Sequence, residues 1–276
     1  MISGKYADWL RVRRGYVAVF SRALDQQDKE AWKGFIPHEH MEHLLDSFLR
    51  ALERQNQDDR RPLWIYGPYG TGKTHACFVL KHLLEDPLDE VESYWNGLGR
   101  ELGQDRLARL LGLRERGRYV VVYNYGSASI DTATKFLIEL QLSLQRELRA
   151  RGLKLAEGRS QLLREQLLEK LRPGGTIDWG AVFKKHRTRL LQYPDAASVL
   201  AEIERGGDVE LFLRVFEVLT DEGVAISTSP EGTVQWVKEV IEANGLAGLV
   251  ILWDEFTDFF SHRVPTSGLQ ALAEAS

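Results

Sequence analysis

Cysteine is nearly absent from this sequence, which has one, Cys77, among 276 residues. A single thiol cannot form an internal disulfide or a cysteine-rich metal site. Long apolar runs are also lacking, because the longest strand-like run, 249–253, is far shorter than the roughly 18 residues that a membrane-spanning helix needs. The N-terminal residues lead into the charged segment Arg11–Arg14 without the apolar stretch of a secretory signal. These absences predict a cytoplasmic protein without a membrane partner.

Charge of both signs is present and nearly balanced. The formal net charge is −4, so the molecule as a whole is not a general nucleic-acid binder, although this total leaves room for a local basic surface. The hydrophobic share of 43% is that of an ordinary globular protein. A chain of 276 residues can bury one large core or two modest ones. We find no internal repeat and no low-complexity segment in the sequence.

Three short apolar runs indicate strands, at 63–66, 119–123 and 249–253. Their unbroken apolar character is typical of strands that are buried on both faces. Helical spacing lies between them: apolar residues recur at i, i+3 and i+4 after Pro37, and Asp131 is a good N-cap for a later helix. The pattern predicts an α/β fold, with a parallel sheet that helices cover on both faces.

A glycine-rich turn joins the first apolar run to a segment of helical spacing over 73–85. The turn reads Gly67-Pro68-Tyr69-Gly70-Thr71-Gly72-Lys73-Thr74 and matches G-x-x-x-x-G-K-[ST] at every fixed position. Its glycines let backbone N–H groups close around phosphate oxygens, and the helix start favours an anion. Lys73 would reach the β- and γ-phosphates, and Thr74 would ligate Mg²⁺. A chance match is the alternative, but the strand–turn–helix context predicts a loop that binds ATP and Mg²⁺.

Two acids, Asp254 and Glu255, end the third apolar run. At a strand tip, Asp254 is placed to hold Mg²⁺ opposite Thr74, usually through water. Glu255 is placed to orient and deprotonate an attacking water. The alternative is a strand that is simply followed by a polar turn. Coupled to the phosphate loop, the pair predicts the catalytic acids of a nucleoside triphosphatase.

The segment Tyr66–His75 resembles the phosphate loops of AAA+ replication initiators and helicase loaders. The large ATPases of bacterial phage-exclusion systems are also similar, with loops ending G-K-[ST]-H and strands ending D-E-F. A glutamate beside the metal-binding aspartate is the pattern of the additional-strand P-loop ATPases, which include AAA+ proteins, STAND switches and RecA-like motors. Nothing in the sequence resembles the guanine-reading motif N-K-x-D. The resemblance therefore implies an ATPase of the additional-strand group rather than a GTPase.

This resemblance implies further site residues. Asn124, at the end of the second strand, matches the polar residue that restrains the catalytic glutamate in many AAA+ proteins, although a plain strand-end turn is an equal alternative. His75 either packs near the helix start or contacts the nucleotide. In related ATPases the segment before such a helix often lines the adenine, which here is Phe35–Pro37. The catalytic set implied is Lys73, Asn124 and Glu255.

The spacing of the motifs predicts the domain organisation. About 180 residues separate Lys73 from Asp254, which is far more than a compact AAA+ core uses. We therefore expect a helical lead-in over 1–35, an ATPase core over 36–150 and 245–276, and a mainly helical insertion over 151–244.

The resemblance also implies an incomplete sheet. Sheets of this superfamily run in the order 5-1-4-3-2, so a fourth strand lies between the phosphate-loop strand and the acidic strand. Only 21 residues follow Glu255, and they contain no apolar, β-branched run. We expect the chain to be the N-terminal piece of a longer protein, and to hydrolyse ATP negligibly by itself.

Charge is unevenly distributed within the predicted insertion. Residues 146–189 carry 12 Lys and Arg against 5 Asp and Glu, whereas residues 195–242 carry 3 against 11. The basic segment is densest at 184–189 and is a candidate for contact with DNA or RNA. The alternative is that the two oppositely charged segments pack together or face solvent.

The expected function is Mg²⁺-dependent ATP binding and hydrolysis that drives a conformational change. We expect a homo-oligomer or a multi-subunit assembly, directed at nucleic acid or at phage defence. The alternative is a slow nucleotide-dependent switch or scaffold with little turnover. A small-molecule kinase is disfavoured, because neither a short lid with paired arginines nor an acceptor pocket is recognisable in the sequence.

Overall fold

The computed structural model describes residues 20–54, 62–68, 70–126, 130–156, 163–205, 209–226, 229–261 and 269. The helices are α1 (Arg22–Gln27), α2 (Glu39–Glu53), α3 (Lys73–Glu85), α4 (Leu88–Asn96), α5 (Gln104–Glu115), α6 (Ala133–Ala150), α7 (Leu163–Leu171), α8 (Trp179–Lys185), α9 (Ala196–Arg205), α10 (Val209–Asp221), α11 (Pro230–Ala243) and α12 (Thr257–Ser261). Short 3-10 helices span Ala31–Gly34, Leu98–Leu102 and Arg187–Arg189. The strands are β1 (Arg118–Tyr125) and β2 (Leu246–Asp254). None of the helices in these ranges has both the length and the apolar character of a membrane span.

β1 and β2 form a two-stranded parallel sheet. The strands predicted at 119–123 and 249–253 are confirmed, and each extends slightly beyond its apolar run. In their register Val121 lies opposite Val250, and Tyr125 lies opposite Asp254. β1 is buried at six consecutive positions, whereas β2, although equally apolar, is only partly buried and leaves Ile251 39% exposed. An α/β fold with a small parallel sheet is therefore present.

The strand predicted at 63–66 is not formed. Residues 62–68 have no regular secondary structure, and the side chain of Tyr66 is 93% exposed. A strand requires a neighbouring backbone to satisfy its N–H and C=O groups. Within the described ranges β1 and β2 are the only strands, and they pair with each other. The local sequence favours a strand, but the described part of the chain offers it no partner.

The helical spacing of apolar residues predicted α2 and α3 correctly, unlike the apolar run at 63–66. The spacing after Pro37 predicts α2, and the spacing over 73–85 predicts α3 with the bounds that the structure has. The N-cap of α6 is one residue away from the prediction. Thr132 has extended backbone dihedrals, and its side chain accepts a hydrogen bond from Lys135 N. Asp131 instead forms an ion pair with the Lys135 ammonium, because an acid beside the cap can reach one turn into the helix.

The chain divides into two units, each of which is described by itself. The first comprises Met1–Asp46 and Trp64–Ala108, and the second comprises Ser47–Leu63 and Arg109–Ser276. The phosphate loop thus belongs to the first unit, and both strands belong to the second. Residues 1–19 of the predicted helical lead-in lie outside the described residues. The domain boundaries that we predicted from the motif spacing stay a prediction.

In the first unit, α3 is the most deeply buried helix, with eight buried residues. Trp32 is fully buried and stacks on His82 of α3, with ring centroids 5.0 Å apart. The Tyr94 hydroxyl donates a hydrogen bond of 3.0 Å to the carbonyl of Phe35. These contacts hold the chain before α2 against α3, which begins at the phosphate loop, and against α4.

In the second unit, α6 is shared by two hydrophobic clusters. One cluster contains sheet residues with α6 and α11, and its members include Val120, Val122, Leu140, Leu144, Trp236 and Val240. The other contains α6 with α7–α10, and its members include Ile138, Leu142, Leu167, Phe183, Ile203 and Phe212. The segment predicted as an insertion, 151–244, contains the helices α7–α11, of which α11 packs with the sheet and α7–α10 pack in the other cluster.

Candidate functional site

The glycine-rich turn has the backbone that its sequence requires. Gly70 and Gly72 have φ angles of 79° and 81°, in the left-handed region that glycine enters without a steric penalty. Gly72 is the N-cap of α3, and its carbonyl accepts the first helical hydrogen bond, from Ala76 N. The first turn of a helix presents backbone amides that are suited to an anion. Tyr69 lies outside the described residues.

The Lys73 side chain folds back over this turn. Its ammonium donates hydrogen bonds of 2.9 Å to the carbonyls of both Gly67 and Pro68. The Thr71 hydroxyl also donates to the Pro68 carbonyl, at 2.9 Å. The positively charged Lys73 ammonium is thus held against the carbonyls of the turn, at the start of α3. Lys73 and the loop backbone together have the donors that a triphosphate needs.

His75, one residue beyond the motif, is packed rather than exposed. Its ring stacks on Phe20 with centroids 4.1 Å apart, and Phe35 meets it edge-on at 5.0 Å. Its Nε2 lies 3.0 Å from the Trp32 carbonyl, which requires Nε2 to carry the proton. Burial lowers the pKa of His75, and the backbone hydrogen bond to Trp32 only partly offsets this. These contacts favour the packing alternative, and nucleotide contact by the ring stays a prediction.

The segment predicted to line the adenine lies beside the turn in the first unit. A Cβ added at Gly72 would stand 3.6 Å from Cε2 of Phe35. Phe35 and Pro37 are buried, whereas Ile36 is 70% exposed. Of these three residues, Ile36 alone offers a mostly exposed side chain. The structure therefore places the segment close enough to the turn for the adenine role, which stays a prediction.

At the end of β2, Asp254 is buried and its carboxylate is held at both oxygens. Oδ2 accepts a hydrogen bond of 2.9 Å from the Tyr123 hydroxyl, and Oδ1 accepts one of 3.0 Å from Glu255 N. Its carbonyl accepts a hydrogen bond of 2.9 Å from Gly126 N. The Trp253 indole donates to the Gly126 carbonyl, also at 2.9 Å. The carboxyl ends of β1 and β2 are thereby tied together around Asp254.

Glu255 follows in a strained conformation. Its φ angle is 53°, in the left-handed region that non-glycine residues rarely adopt. Such a backbone costs about 1–2 kcal/mol. The residue is exposed, whereas Asp254 before it is buried. The two acids therefore differ in environment as their predicted roles require, with a fixed carboxylate followed by one that is accessible to water.

Asn124 lies at the carboxyl end of β1, one residue before Tyr125, which is opposite Asp254 in the sheet register. It stands opposite Trp253 in the sheet register and is 6% exposed. Its Nδ2 finds no hydrogen-bond acceptor among the described residues. A buried donor without a partner costs about 1–3 kcal/mol. Asn124 is therefore a polar group with unused bonding capacity at the carboxyl end of β1, and its predicted restraint of Glu255 stays a prediction.

The predicted site residues thus fall into two sets. The phosphate loop, Lys73, Thr74 and His75 lie in the first unit, while Asn124, Asp254 and Glu255 lie in the second. Within the described ranges no group of three or more His, Cys, Asp and Glu side chains is arranged to hold a metal ion. Asp254 taken by itself offers a carboxylate of the kind that holds nucleotide-bound Mg²⁺, which takes one or two protein ligands and completes its shell with water and phosphate. Thr74 and Asp254 are the predicted protein ligands.

Tyr123 is the site residue that the sequence analysis missed. The signal was available in the periodicity, because alternate residues of a strand share a face. Tyr123 lies on the same face of β1 as Tyr125, which is opposite Asp254 on the parallel strand β2. A tyrosine at that position lies close to the Asp254 carboxylate. Because Tyr123 lies inside the apolar run 119–123, we predicted its side chain as part of the core and not as a hydrogen-bond donor.

The oppositely charged segments of the predicted insertion pair with each other. Glu222 accepts from the Lys185 ammonium at 2.7 Å and from the His186 ring at 2.6 Å, and these two groups hold the pKa of Glu222 below its usual value. Arg189 contacts Asp221 at 2.5 Å, and Arg172 contacts Glu204 at 2.9 Å. The structure thus shows the packing alternative at the densest basic point. Contact of 146–189 with DNA or RNA stays a prediction.

Comparisons with known proteins identified no relative of this chain. No protein-family model, curated protein or solved structure matches the chain.

Proposed function

We propose that this chain binds Mg-ATP and takes part in its hydrolysis. The observation that carries the proposal is the phosphate loop: a complete G-x-x-x-x-G-K-T motif whose left-handed glycines lead into α3. The Lys73 ammonium contacts two loop carbonyls. Backbone amides and a lysine at a helix start are the donors that cradle nucleoside triphosphates in P-loop proteins.

The acidic pair supplies the second part of the proposal. Asp254 contributes an oriented carboxylate for Mg²⁺, with Thr74 as the other protein ligand. When bound, Mg²⁺ neutralises charge on the phosphate oxygens. Glu255 accepts a proton from the attacking water. We further propose that turnover drives a conformational change in an oligomeric or multi-subunit assembly. This assembly acts on nucleic acid or in phage defence. The alternative is a slow nucleotide-dependent switch.

The first prediction tests the phosphate loop. Lys73→Ala should weaken binding of a fluorescent ATP analogue about 10- to 100-fold, because each charged hydrogen bond is worth about 1.5–3 kcal/mol. Titrations should extend to millimolar nucleotide so that weak binding remains measurable. The matched control is Lys184→Ala, which removes the same charge from an exposed position of α8 and should bind as the wild type does.

Two results would contradict the proposal. One is equal affinity of Lys73→Ala and Lys184→Ala for the analogue, and the other is wild-type binding that excess ATP does not compete away. Single-turnover kinetics in the native assembly distinguish the two proposed functions, a motor whose turnover drives a conformational change and a slow nucleotide-dependent switch. Turnover stimulated by DNA supports the motor, whereas ATP that stays bound and intact supports the switch.

A further inference from the structure

Tyr123 reaches Asp254 because of the register of the sheet. Tyr125 lies opposite Asp254, and Tyr123 stands two residues earlier on β1, so all three share one face of the sheet. Tyr123 is 6% exposed, and its hydroxyl donates a 2.9 Å hydrogen bond to Asp254 Oδ2. The contact therefore lies in a buried setting, where water competes little for the carboxylate.

The two donors act on different oxygens of the same carboxylate. Glu255 N fixes Oδ1 from the following residue, and Tyr123 fixes Oδ2 from the neighbouring strand. A carboxylate that is bound at both oxygens cannot rotate freely about its Cβ–Cγ bond. Its remaining lone pairs are then held in set directions, which is what groups behind a metal ligand provide.

We infer that Tyr123 is a positioning residue, whose hydroxyl orients the Asp254 carboxylate for the Mg²⁺ that accompanies ATP. The inference rests on the proposed function, because it gives Asp254 a metal to bind. Tyr123 acts through Asp254 and touches neither the nucleotide nor the reacting water. Its loss should therefore lower the affinity for Mg²⁺ without changing the binding of nucleotide in the absence of metal.

The chain offers a matched control in Tyr119. It stands four residues earlier on the same face of β1 and is 5% exposed. Its ring packs against Gly248 of β2, with Cε1 3.0 Å from the position of a Cβ there. Tyr119→Phe and Tyr123→Phe each remove one hydroxyl from a buried ring of the same strand. They differ in that the Tyr123 hydroxyl donates to Asp254 Oδ2, whereas the Tyr119 ring packs against Gly248.

The experiment is a Mg²⁺ titration of ATP-analogue binding, followed by fluorescence, in the wild type, Tyr123→Phe, Tyr119→Phe and Asp254→Asn. We expect Tyr123→Phe to raise the half-saturating Mg²⁺ concentration about tenfold, which is the lower end of the effect of removing a group behind a metal ligand. Tyr119→Phe should match the wild type. Binding in EDTA should be the same for all four proteins.

A second measurement checks the contact without metal or nucleotide. Melting temperatures of Tyr123→Phe, Asp254→Ala and the double variant should be non-additive, since each single change removes one partner of the same hydrogen bond. Additive changes would overturn the inference. So would a Tyr123→Phe titration that overlays Tyr119→Phe while Asp254→Asn is impaired, and in that case the proposed function would stand. If the wild type bound no nucleotide with or without Mg²⁺, the proposed function would fail and the inference with it.

Discussion

Glu255 combines a strained backbone with the proposed role of a general base. A left-handed backbone is retained at a non-glycine position only where surrounding contacts impose it. Here Glu255 N is bound to Asp254 Oδ1, while the side chain is exposed. The same hydrogen bond thus fixes the orientation of one acid and the backbone of the next. This arrangement is what a metal ligand followed by a general base requires.

The prediction for this residue separates binding from chemistry. Glu255→Gln preserves the shape of the side chain but removes the group that accepts a proton. Hydrolysis should fall about 10²- to 10⁴-fold, which is the usual contribution of a general base, while the affinity for ATP stays within twofold. The measurement is single-turnover hydrolysis of radiolabelled ATP by the native assembly, with the exposed Glu242→Gln of α11 as control. Equal rates for Glu255→Gln and Glu242→Gln would remove Glu255 from the mechanism.

Among the elements, α1 and α3 are joined by a buried ionic cluster. His82 of α3 contacts Asp25 of α1 through Nε2 at 2.5 Å and Asp86 through Nδ1 at 2.8 Å. Lys81 contacts the second oxygen of Asp25 at 2.8 Å. Burial lowers the pKa of His82, but the hydrogen bonds to the two carboxylates outweigh it, so the pKa is raised above 6.5. Burial raises the pKa of Asp25, but His82 and Lys81 outweigh it and lower the pKa below 3.8.

These shifts give the first unit a stability that depends on pH. The raised pKa of His82 stabilises the folded state below about pH 6.5, and this contribution is lost as pH rises through the folded-state pKa. The lowered pKa of Asp25 stabilises the folded state above about pH 3.8 and is lost as pH falls through its folded-state value. We therefore predict that the free energy of unfolding declines as pH rises from 6 to 9. His82→Gln should lower stability at pH 6 and flatten this decline.

Urea unfolding of the wild type, His82→Gln and His40→Gln over this range is the measurement. His40 is exposed, and its substitution should leave the decline unchanged. A decline of the same slope in His82→Gln would show that other groups cause it.

Apolar spacing in the sequence was sufficient to predict some of the helices and strands but not others. α2 and α3 follow from apolar spacing because each helix satisfies its own backbone hydrogen bonds, so local sequence decides its formation. Residues 63–66 have an equally clear apolar pattern, yet they form no strand because a strand depends on a distant partner. The same dependence explains the Tyr123 contact: its partner is 131 residues away, and it follows from the register rather than from any motif.

At the scale of the whole molecule, the proposed chemistry draws on both units. The phosphate loop lies in the first unit and the acidic pair in the second. The sequence identified both motifs, since each is a short segment with its own local geometry. It did not reveal that α6 is shared between a sheet cluster and a helical cluster, because a helix that is buried on two sides has no single apolar stripe.

The central claim is that Mg-ATP binds at the phosphate loop, and hydrogen–deuterium exchange tests it most directly. Saturating Mg-ATP should slow amide exchange in peptides that cover residues 67–76, because phosphate oxygens accept hydrogen bonds from these amides. Exchange in the helices α7–α10 should not change, and Lys73→Ala should lose the protection at equal nucleotide concentration. Unchanged exchange across 67–76 at saturating Mg-ATP, or protection found solely elsewhere in the chain, would contradict the account.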